Sequence, residues 1–338
     1  MNSSHRQILR SSAIIGSASI ANVLMGILRL KGAALMVGPV GLGLIGLYLN
    51  FVTAVATLIG LGLNASGVRE IAAAKAAGDT QLVDSSRRAL TWISLTMALL
   101  VAGAVFVLRE PIALHLLSDA SLADSLLWLA VAAALLAFST ICSIALNGFR
   151  KLRALASLQV GSALLGTVVG LAILYVWREE GLIAYVVSVQ AAALAVGLVL
   201  VLRLPRPGTA VNLRQVLRQG GVMAALGLSF MISVLAAGLA VLAVRSTIGQ
   251  QLGGVALGQF AASWIISSTY VGFILQAMGT DFYPRLSEAI DDRATAARLV
   301  SEQVETAVLL AAPLLVLTLA AAPWVLQLAY SEAFRPAA

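Results

Sequence analysis

Long runs of apolar residues alternate with short polar clusters along the whole chain. Each run is long enough to cross a hydrocarbon core of roughly 30 Å as a helix. The clusters contain Gly, Pro and charged residues, which mark turns, and no alternating strand pattern suggests an outer-membrane barrel. The pattern predicts nine membrane-spanning helices, at residues 11–35, 40–63, 89–108, 124–147, 154–177, 182–202, 220–245, 255–278 and 302–325.

The composition supports this prediction. Of the 338 residues, 60% are hydrophobic and only 11% are charged, and the mean hydropathy is +0.97. A soluble domain has about 25% charged residues, so lipid must be the solvent for most of this surface. The start of the chain is basic and then apolar, but the run continues to Val37 without a cleavage site, which indicates an uncleaved first span. We therefore expect an all-α multi-pass membrane protein.

The basic residues indicate the orientation of the chain. With the N-terminus placed in the cytoplasm, the inside segments hold sixteen of the 22 Lys and Arg residues. Such a bias is what the positive-inside rule requires. The net charge of +7 is then a sign of topology. It does not indicate nucleic acid, which requires basic residues concentrated on one face.

Two distant segments repeat nearly the same pattern, EPIALHLLSDA at 110–120 and APWVLQLAYSEA at 322–333. Further matches appear in the same order when the first part of the chain is shifted by 216 residues: Arg29 on Arg245, Gly38 on Gly254 and Arg69 on Arg285. This series predicts an internal duplication, a common construction in transporters.

The duplication predicts two parallel halves joined by a proline-containing basic linker. Residues 1–210 would form a six-helix N-terminal lobe, and residues 211–338 would form an incomplete C-terminal lobe of three helices. By the logic of the repeat, three more spans should follow. The chain is thus expected to represent about nine-twelfths of a transporter.

Three cations lie where charge is costly. Arg29 and Lys31 stand late in the first predicted span, and Arg245 ends the seventh. A charge within hydrocarbon costs at least about 2.5–3.5 kcal/mol, so it usually lines a polar cavity or carries function. The alternative is that the long side chains reach water at the outer interface. If Arg29 and Arg245 are equivalent in the two halves, both would face a central cleft suited to phosphate, which arginine binds bidentately.

Other chemistry is sparse. The sequence has no G-x-S-x-G, H-E-x-x-H or P-loop motif, and its single cysteine, Cys142, cannot form a disulfide within the chain. We expect no catalytic residue, no cofactor and no metal, and a protein that is not an enzyme. Polar residues within the spans either hydrogen-bond between helices or line a path for sugars: Asn22, Asn50, Gln159, Gln190, Gln259 and Gln276.

Four segments together carry a resemblance to a known family: RLKGAALMVGPVGLGLIGLYLNF, LGLNASGVREIAAAKAAGD, LNGFRKLRALASLQVGSALLG and MGTDFYPRLSEA. They resemble the Wzx-type O-antigen translocases. These are polysaccharide flippases of the multidrug/oligosaccharidyl-lipid/polysaccharide exporter superfamily, which also contains the MATE-type exporters and the lipid II flippase. The resemblance covers essentially the whole chain and keeps the motifs in order.

The resemblance implies a bacterial inner-membrane protein with two six-helix lobes that open alternately to each side. It implies that undecaprenyl diphosphate carrying an oligosaccharide, such as an O-antigen unit of lipopolysaccharide, is flipped from the cytoplasmic to the periplasmic face. Arg29, Lys31 and Arg245 match the basic positions of a cationic central cavity in such flippases. Polysaccharide polymerase and chain-length machinery are the implied partners besides the lipid bilayer. The chain departs from the family in length, since members typically have about twelve spans.

Three alternatives remain at the level of sequence. A MATE-like ion-coupled exporter of small molecules would favour acidic residues in the spans, and none lies deep in the first six. A polymerase or ligase on the same carrier would need a large outer loop, whereas the longest one here covers only residues 109–123. A truncated membrane protein without transport activity would be indifferent to neutralisation of Arg29 and Arg245.

Overall fold

A computed structural model of the chain describes residues 3–114, 123–205, 208, 212–288, 292–330 and 332–337. This part is helical and contains no strand. The helices are α1 (Ser3–Gly60), α2 (Leu63–Ala76), α3 (Thr80–Val107), α4 (Arg109–Ile112), α5 (Ala123–Gly148), α6 (Leu152–Trp177), α7 (Leu182–Val201), α8 (Leu213–Glu288) and α9 (Arg293–Ala329), with 3-10 turns at Arg178–Gly181 and Glu332–Ala337.

Two of these helices change direction at a single glycine. In α1, Gly38 has φ 63° and is followed by Pro39, and in α8, Gly253 has φ 85°. A positive φ is available to glycine at little cost, and it interrupts the helical hydrogen-bond ladder. Each helix therefore consists of two arms, residues 3–37 and 39–60 in α1 and residues 213–252 and 254–288 in α8.

The described chain contains six apolar helical segments long enough to cross a membrane. Three of them are double, because each contains an internal turn. These are Gly16–Gly60 and Arg214–Ser268, which bend at the two glycines, and Leu152–Val201, which turns at Arg178–Gly181. The remaining segments are Thr80–Val107, Ala123–Gly148 and Arg293–Leu317. The prediction of an all-α multi-pass membrane protein is confirmed, and the nine predicted spans fall on these helices and their arms.

The bend in α8 corrects one detail of the sequence comparison. The shift of 216 residues paired Gly38 with Gly254, whereas the residue with positive φ is Gly253. Counted from the two bends, Arg245 corresponds to Leu30, between Arg29 and Lys31. The pairing of Gly38 with Gly254 was therefore wrong by one residue, and Arg29 and Arg245 are one helical position apart. The two similar segments at 110–120 and 322–333 lie partly outside the described residues.

The two ends of the bundle differ. Residues 60–88, 148–153, 201–205 and 212–219 meet at one end, which we call the basic end because ten described Lys and Arg residues lie in these ranges. Gly38, Gly253 and the turn Arg178–Gly181 lie at the opposite end. The main core fills the space between α1, α5 and α7, where Tyr185 and Leu129 are fully buried.

The first arm of α1 runs beside α6. The Thr167 hydroxyl donates a hydrogen bond to the carbonyl of Ala163 in its own helix, at 2.7 Å, and the carbonyl oxygen of Met25 lies 3.5 Å from the same hydroxyl oxygen. Further along, a Cβ added to Gly32 would lie 2.7 Å from a methyl carbon of Leu171. Small residues at such positions let membrane helices approach closely, and this contact fixes α1 to the first half of the chain.

The second arm of α1 crosses α8 at glycines near the opposite end. A Cβ added to Gly43 would lie 2.7 Å from the backbone nitrogen of Gly258, and one added to Gly258 would collide with the carbonyl oxygen of Pro39. The backbones of the two helices are therefore in direct contact, without side chains between them. This crossing joins the two bent helices, which the predicted duplication would make equivalent.

We predict that Gly258→Ala destabilises the protein, because its methyl group must displace the Pro39 backbone, and overpacking of this kind costs about 1–3 kcal/mol. Gly238→Ala is the matched control in α8, since nothing lies within 4 Å of its added Cβ, and replacing a helical glycine by alanine is normally favourable. Thermal unfolding in detergent would compare the two variants. Equal melting temperatures would contradict the crossing described here.

Candidate substrate site between the two bent helices

The second arm of α1 is also held against α8 at the basic end. Gly62, with φ 64°, follows the end of α1, and a Cβ there would collide with the carbonyl oxygen of Gly227. A Cβ on Gly227 would in turn collide with the carbonyl oxygen of Leu61. The two helices thus touch through backbone at both ends. Between these contacts, Met231, Leu242, Arg245 and Ser246 of α8 are buried, whereas most other residues of this arm are exposed.

Arg245 is enclosed in this way. It is only 4% exposed, and its guanidinium group lies where a Cβ on Gly46 would be. Its Cζ is 5.8 Å from the centroid of the Phe260 ring. The Phe260 ring in turn packs against the Trp264 ring, with the two centroids 5.6 Å apart. The Nε and Nη1 atoms of Arg245 are buried and have no hydrogen-bond partner among the described residues.

This arrangement leaves a positive charge without compensation. Burial of an ion costs several kcal/mol even after relaxation, whereas a cation–π contact returns only about 0.5–2 kcal/mol. The aromatic ring therefore does not offset the cost of burying the guanidinium group. An anion that reaches Arg245 would gain two free N–H donors and a full charge, which is the requirement for a bidentate contact.

The other two predicted cations have different neighbours. Arg29 is half-buried and faces the first half of the chain, since a Cβ on Gly166 would lie 3.5 Å from its Nη1. Lys31 donates a hydrogen bond from Nζ to the carbonyl oxygen of Leu328, at 2.9 Å. Leu328 belongs to the last turn of α9, where unpaired carbonyls attract cations. Of these three, Arg245 alone is fully buried with unpaired donors.

A cavity of about 660 Å³ opens beside the same helices at the basic end. It lies between α1, α2, α3, α5 and the first arm of α8. Its polar side chains are hydroxyls and amides, and Phe230 is its aromatic residue. The lining residues are Thr53, Ala56, Thr57, Gly60, Gly62, Leu63, Asn64, Ala65, Val68, Ser94, Leu136, Ala137, Thr140, Ile141, Ile144, Asn147, Phe230, Met231 and Val234.

The residues of this cavity were not among the predicted site residues. None of the three predicted cations lines it, and neither do the six polar residues listed from the predicted spans; the side chain of one of these, Gln276, lies outside the described part. The amides that do line it, Asn64 and Asn147, stand in LGLNASG and LNGF, at predicted span ends. Both segments are among the four that carry the family resemblance, so the sequence did contain a signal for these two residues.

Several Lys and Arg residues at the basic end bind aromatic rings or backbone carbonyls of neighbouring segments. Lys75 and Arg87 lie 5.4 and 5.5 Å from the centroid of the Phe149 ring, and Lys75 also donates to the carbonyl of Phe149, at 2.7 Å. Arg87 donates to the carbonyl of Pro205, at 2.8 Å. The contacts to Phe149 hold the end of α5 against α2 and α3, and the hydrogen bond to Pro205 fastens the segment before α8 to α3.

The start of α8 is held to the first half by side-chain hydrogen bonds. Gln219 donates to Glu70, at 2.9 Å, and Gln81 donates to Gln215, at 3.1 Å. Nearby, the backbone N–H of Gly208 donates to the buried carboxylate of Asp84, at 3.0 Å. The charged residues at this end therefore join parts of the fold, in addition to indicating the orientation in the membrane.

Comparison with known proteins finds a solved structure with the same fold. A solved structure described as "Inward-facing conformation of a multidrug resistance MATE family transporter of the MOP superfamily" matches with a TM-score of 0.72 and 18% identity. The match covers 94% of this chain and 74% of that one, which shows a shared fold. No curated protein sequence matches the chain.

A family model settles the family. The model described as "Polysaccharide biosynthesis protein" matches residues 8–290, which is most of the chain. The chain belongs to this family of polysaccharide biosynthesis proteins, and the resemblance to the exporter superfamily is confirmed. Family and fold together support a membrane flippase or exporter.

We predict that Arg245→Met raises the melting temperature of the protein in detergent, because methionine removes an unpaired buried charge and still fills the space. Lys31→Met is the matched control. It should lower the melting temperature, since it removes the hydrogen bond to Leu328, and a hydrogen bond of this type contributes about 0.5–3 kcal/mol. A marked loss of stability in Arg245→Met would show that the guanidinium group is compensated within the protein.

Proposed function

We propose that this chain flips an oligosaccharide linked to undecaprenyl diphosphate, an O-antigen or related surface polysaccharide unit, across a bacterial inner membrane. Transport would run from the cytoplasmic to the periplasmic face. The family match supports polysaccharide biosynthesis as the setting. The observation that carries the proposal is Arg245, a buried cation with free donors between the two bent helices.

The substrate's chemistry fits this arrangement. A prenyl tail can stay in the bilayer throughout, so only the diphosphate and the sugars need a path through protein. Diphosphate oxygens pair with guanidinium groups more strongly than neutral acceptors do. No covalent step is required, and the binding residues only have to neutralise and orient the head group.

Arg245 is covered in the present conformation, so access to it requires movement. It belongs to α8, whereas Gly46, which covers it, belongs to α1. Separation of these two helices would expose the guanidinium group, and closure would bury it again with its ligand. The differential affinity of an anion for the open and closed states would then couple binding to alternating access.

Arg29 and Lys31 complete the proposed set of substrate-binding residues. Arg29 is partly exposed and already available to a ligand. Lys31 would have to leave the carbonyl of Leu328, which makes its contribution dependent on a shift of α9. We expect neutralisation of Arg245 to have the largest effect of the three, because its donors have no competing partner among the described residues.

The remaining parts of the proposal concern topology and partners. The excess of Lys and Arg at the basic end supports a cytoplasmic position for this end and for the N-terminus. Residues 1–210 and 211–338 would act as the two moving lobes. Polysaccharide polymerase and chain-length machinery would receive the product on the periplasmic side.

A second candidate is an ion-coupled exporter of small molecules, which the MATE-type structural neighbour favours by its fold. Organic cations would require a carboxylate in the transport path. The described cavity has no acidic lining residue, and the buried charge between α1 and α8 is positive. A membrane protein without transport activity would tolerate the loss of this charge.

The test is transport by the purified chain in proteoliposomes that contain a fluorescent undecaprenyl diphosphate oligosaccharide. We expect protein-dependent movement of the label between leaflets, reduced about tenfold or more in Arg245→Ala, as the loss of a charge-assisted contact predicts. Vesicles loaded with ethidium and given a sodium or proton gradient would test the exporter.

Arg178→Ala is the matched control, since Arg178 is an exposed arginine at the opposite end. It should transport the lipid at the unsubstituted rate. Transport no faster than in protein-free vesicles, or equal rates in Arg245→Ala and the unsubstituted chain, would contradict the proposal. Ethidium movement without lipid movement would favour the exporter.

A further inference from the structure

The cavity at the basic end has no charged lining residue among the described part of the chain. This is unexpected in a protein with 22 Lys and Arg residues, several of which lie at the same end. A carboxylate or phosphate group in this space would be desolvated without a counter-charge, at a cost of several kcal/mol. The cavity therefore selects uncharged ligands.

The polar groups of the cavity supply both hydrogen-bond donors and acceptors. The hydroxyls of Thr53, Thr57 and Thr140 donate to carbonyls of their own helices at 2.8, 2.8 and 3.0 Å, so their oxygens face a ligand as acceptors. The amides of Asn64 and Asn147 are exposed side chains of the cavity wall, and the buried Ser94 Oγ has no hydrogen-bond partner among the described residues. A ligand rich in hydroxyls or amides can pair with all three groups.

The rest of the wall is apolar. Leu63, Leu136, Ile144 and Met231 line the space, and Phe230 adds an aromatic ring. Mixed walls with a few polar groups on an apolar surface are typical of small-molecule sites, and the volume falls within their usual range of roughly 300–1,000 Å³. Fully hydroxylated sugars would leave much of this apolar wall unused, whereas a methyl-bearing substituent would fill it.

We propose that this cavity binds an uncharged sugar ring with a methyl-bearing substituent, such as an acetamido or 6-deoxy group. Asn64 and Asn147 would pair with its polar groups, while the substituent and one ring face would contact the aliphatic wall and Phe230. The inference rests on the proposed function and specifies the substrate. Neutral sugars would bind at the basic end, and the diphosphate would bind at Arg245.

The experiment is saturation-transfer difference NMR on the full chain in detergent. The probes are the methyl glycosides of N-acetylglucosamine and of glucuronic acid. We expect saturation of the acetamido methyl protons of the first probe and at least about tenfold less for the second, the range that pocket discrimination usually spans. Ala65→Trp should abolish the signal, because Ala65 is exposed to the cavity and lines it.

Ala73→Trp is the matched control, on the exposed side of the same helix and outside the cavity; it should bind as the unsubstituted chain does. Equal saturation of both probes, no saturation of either, or an unchanged signal in Ala65→Trp would overturn the inference. Binding of free sugars is independent of lipid transport. Lipid transport without sugar binding would overturn this inference and leave the proposed function standing. Sugar binding without lipid transport would support the sugar site and contradict the proposed function.

Discussion

Direct backbone contact between α1 and α8 is the constraint on which the rest of this structure depends. Gly43 and Gly258 at one end and Gly62 and Gly227 at the other leave no room for a single methyl group. Within a membrane, where apolar burial gives little drive for association, such close packing is a principal source of helix–helix affinity. Arg245 lies between these contacts and is buried there.

The enclosure gives Arg245 its chemical character. The same guanidinium group at a helix end facing water would be an ordinary solvated cation. Behind Gly46 and beside Phe260 it becomes a desolvated donor, and the contacts around it do not offset the free energy of desolvation. A short distance along the same helices, the cavity walls carry amides and hydroxyls without charge. The proposed division between a diphosphate site and a neutral sugar site follows from this separation.

The span pattern was predictable because each crossing must bury its own backbone hydrogen bonds in a long apolar run. The bends were only partly predictable. Gly38 stands before a proline and was a natural turn, but QQLGGVALG offers two adjacent glycines. The structure gives the positive φ to Gly253, while Gly254 lies against Val40. Arg29, Lys31 and Arg245 could be identified from the sequence, because a charge within an apolar span has a high free energy. Which of them stays unpaired was not visible, because the partner of Lys31 lies 297 residues away.

The sequence by itself determined that this is an all-helical multi-pass membrane protein, where its spans lie, which segments are basic, and which family it resembles. These properties depend on local hydropathy and short motifs, which act over one helix length or less. Tertiary structure alone decided that Lys31 is tied to α9, that Arg245 is buried without a partner, and that Asn64 and Asn147 meet in one cavity. Those outcomes depend on contacts between helices far apart in the chain, and glycine crossings set them by fixing how closely the helices approach.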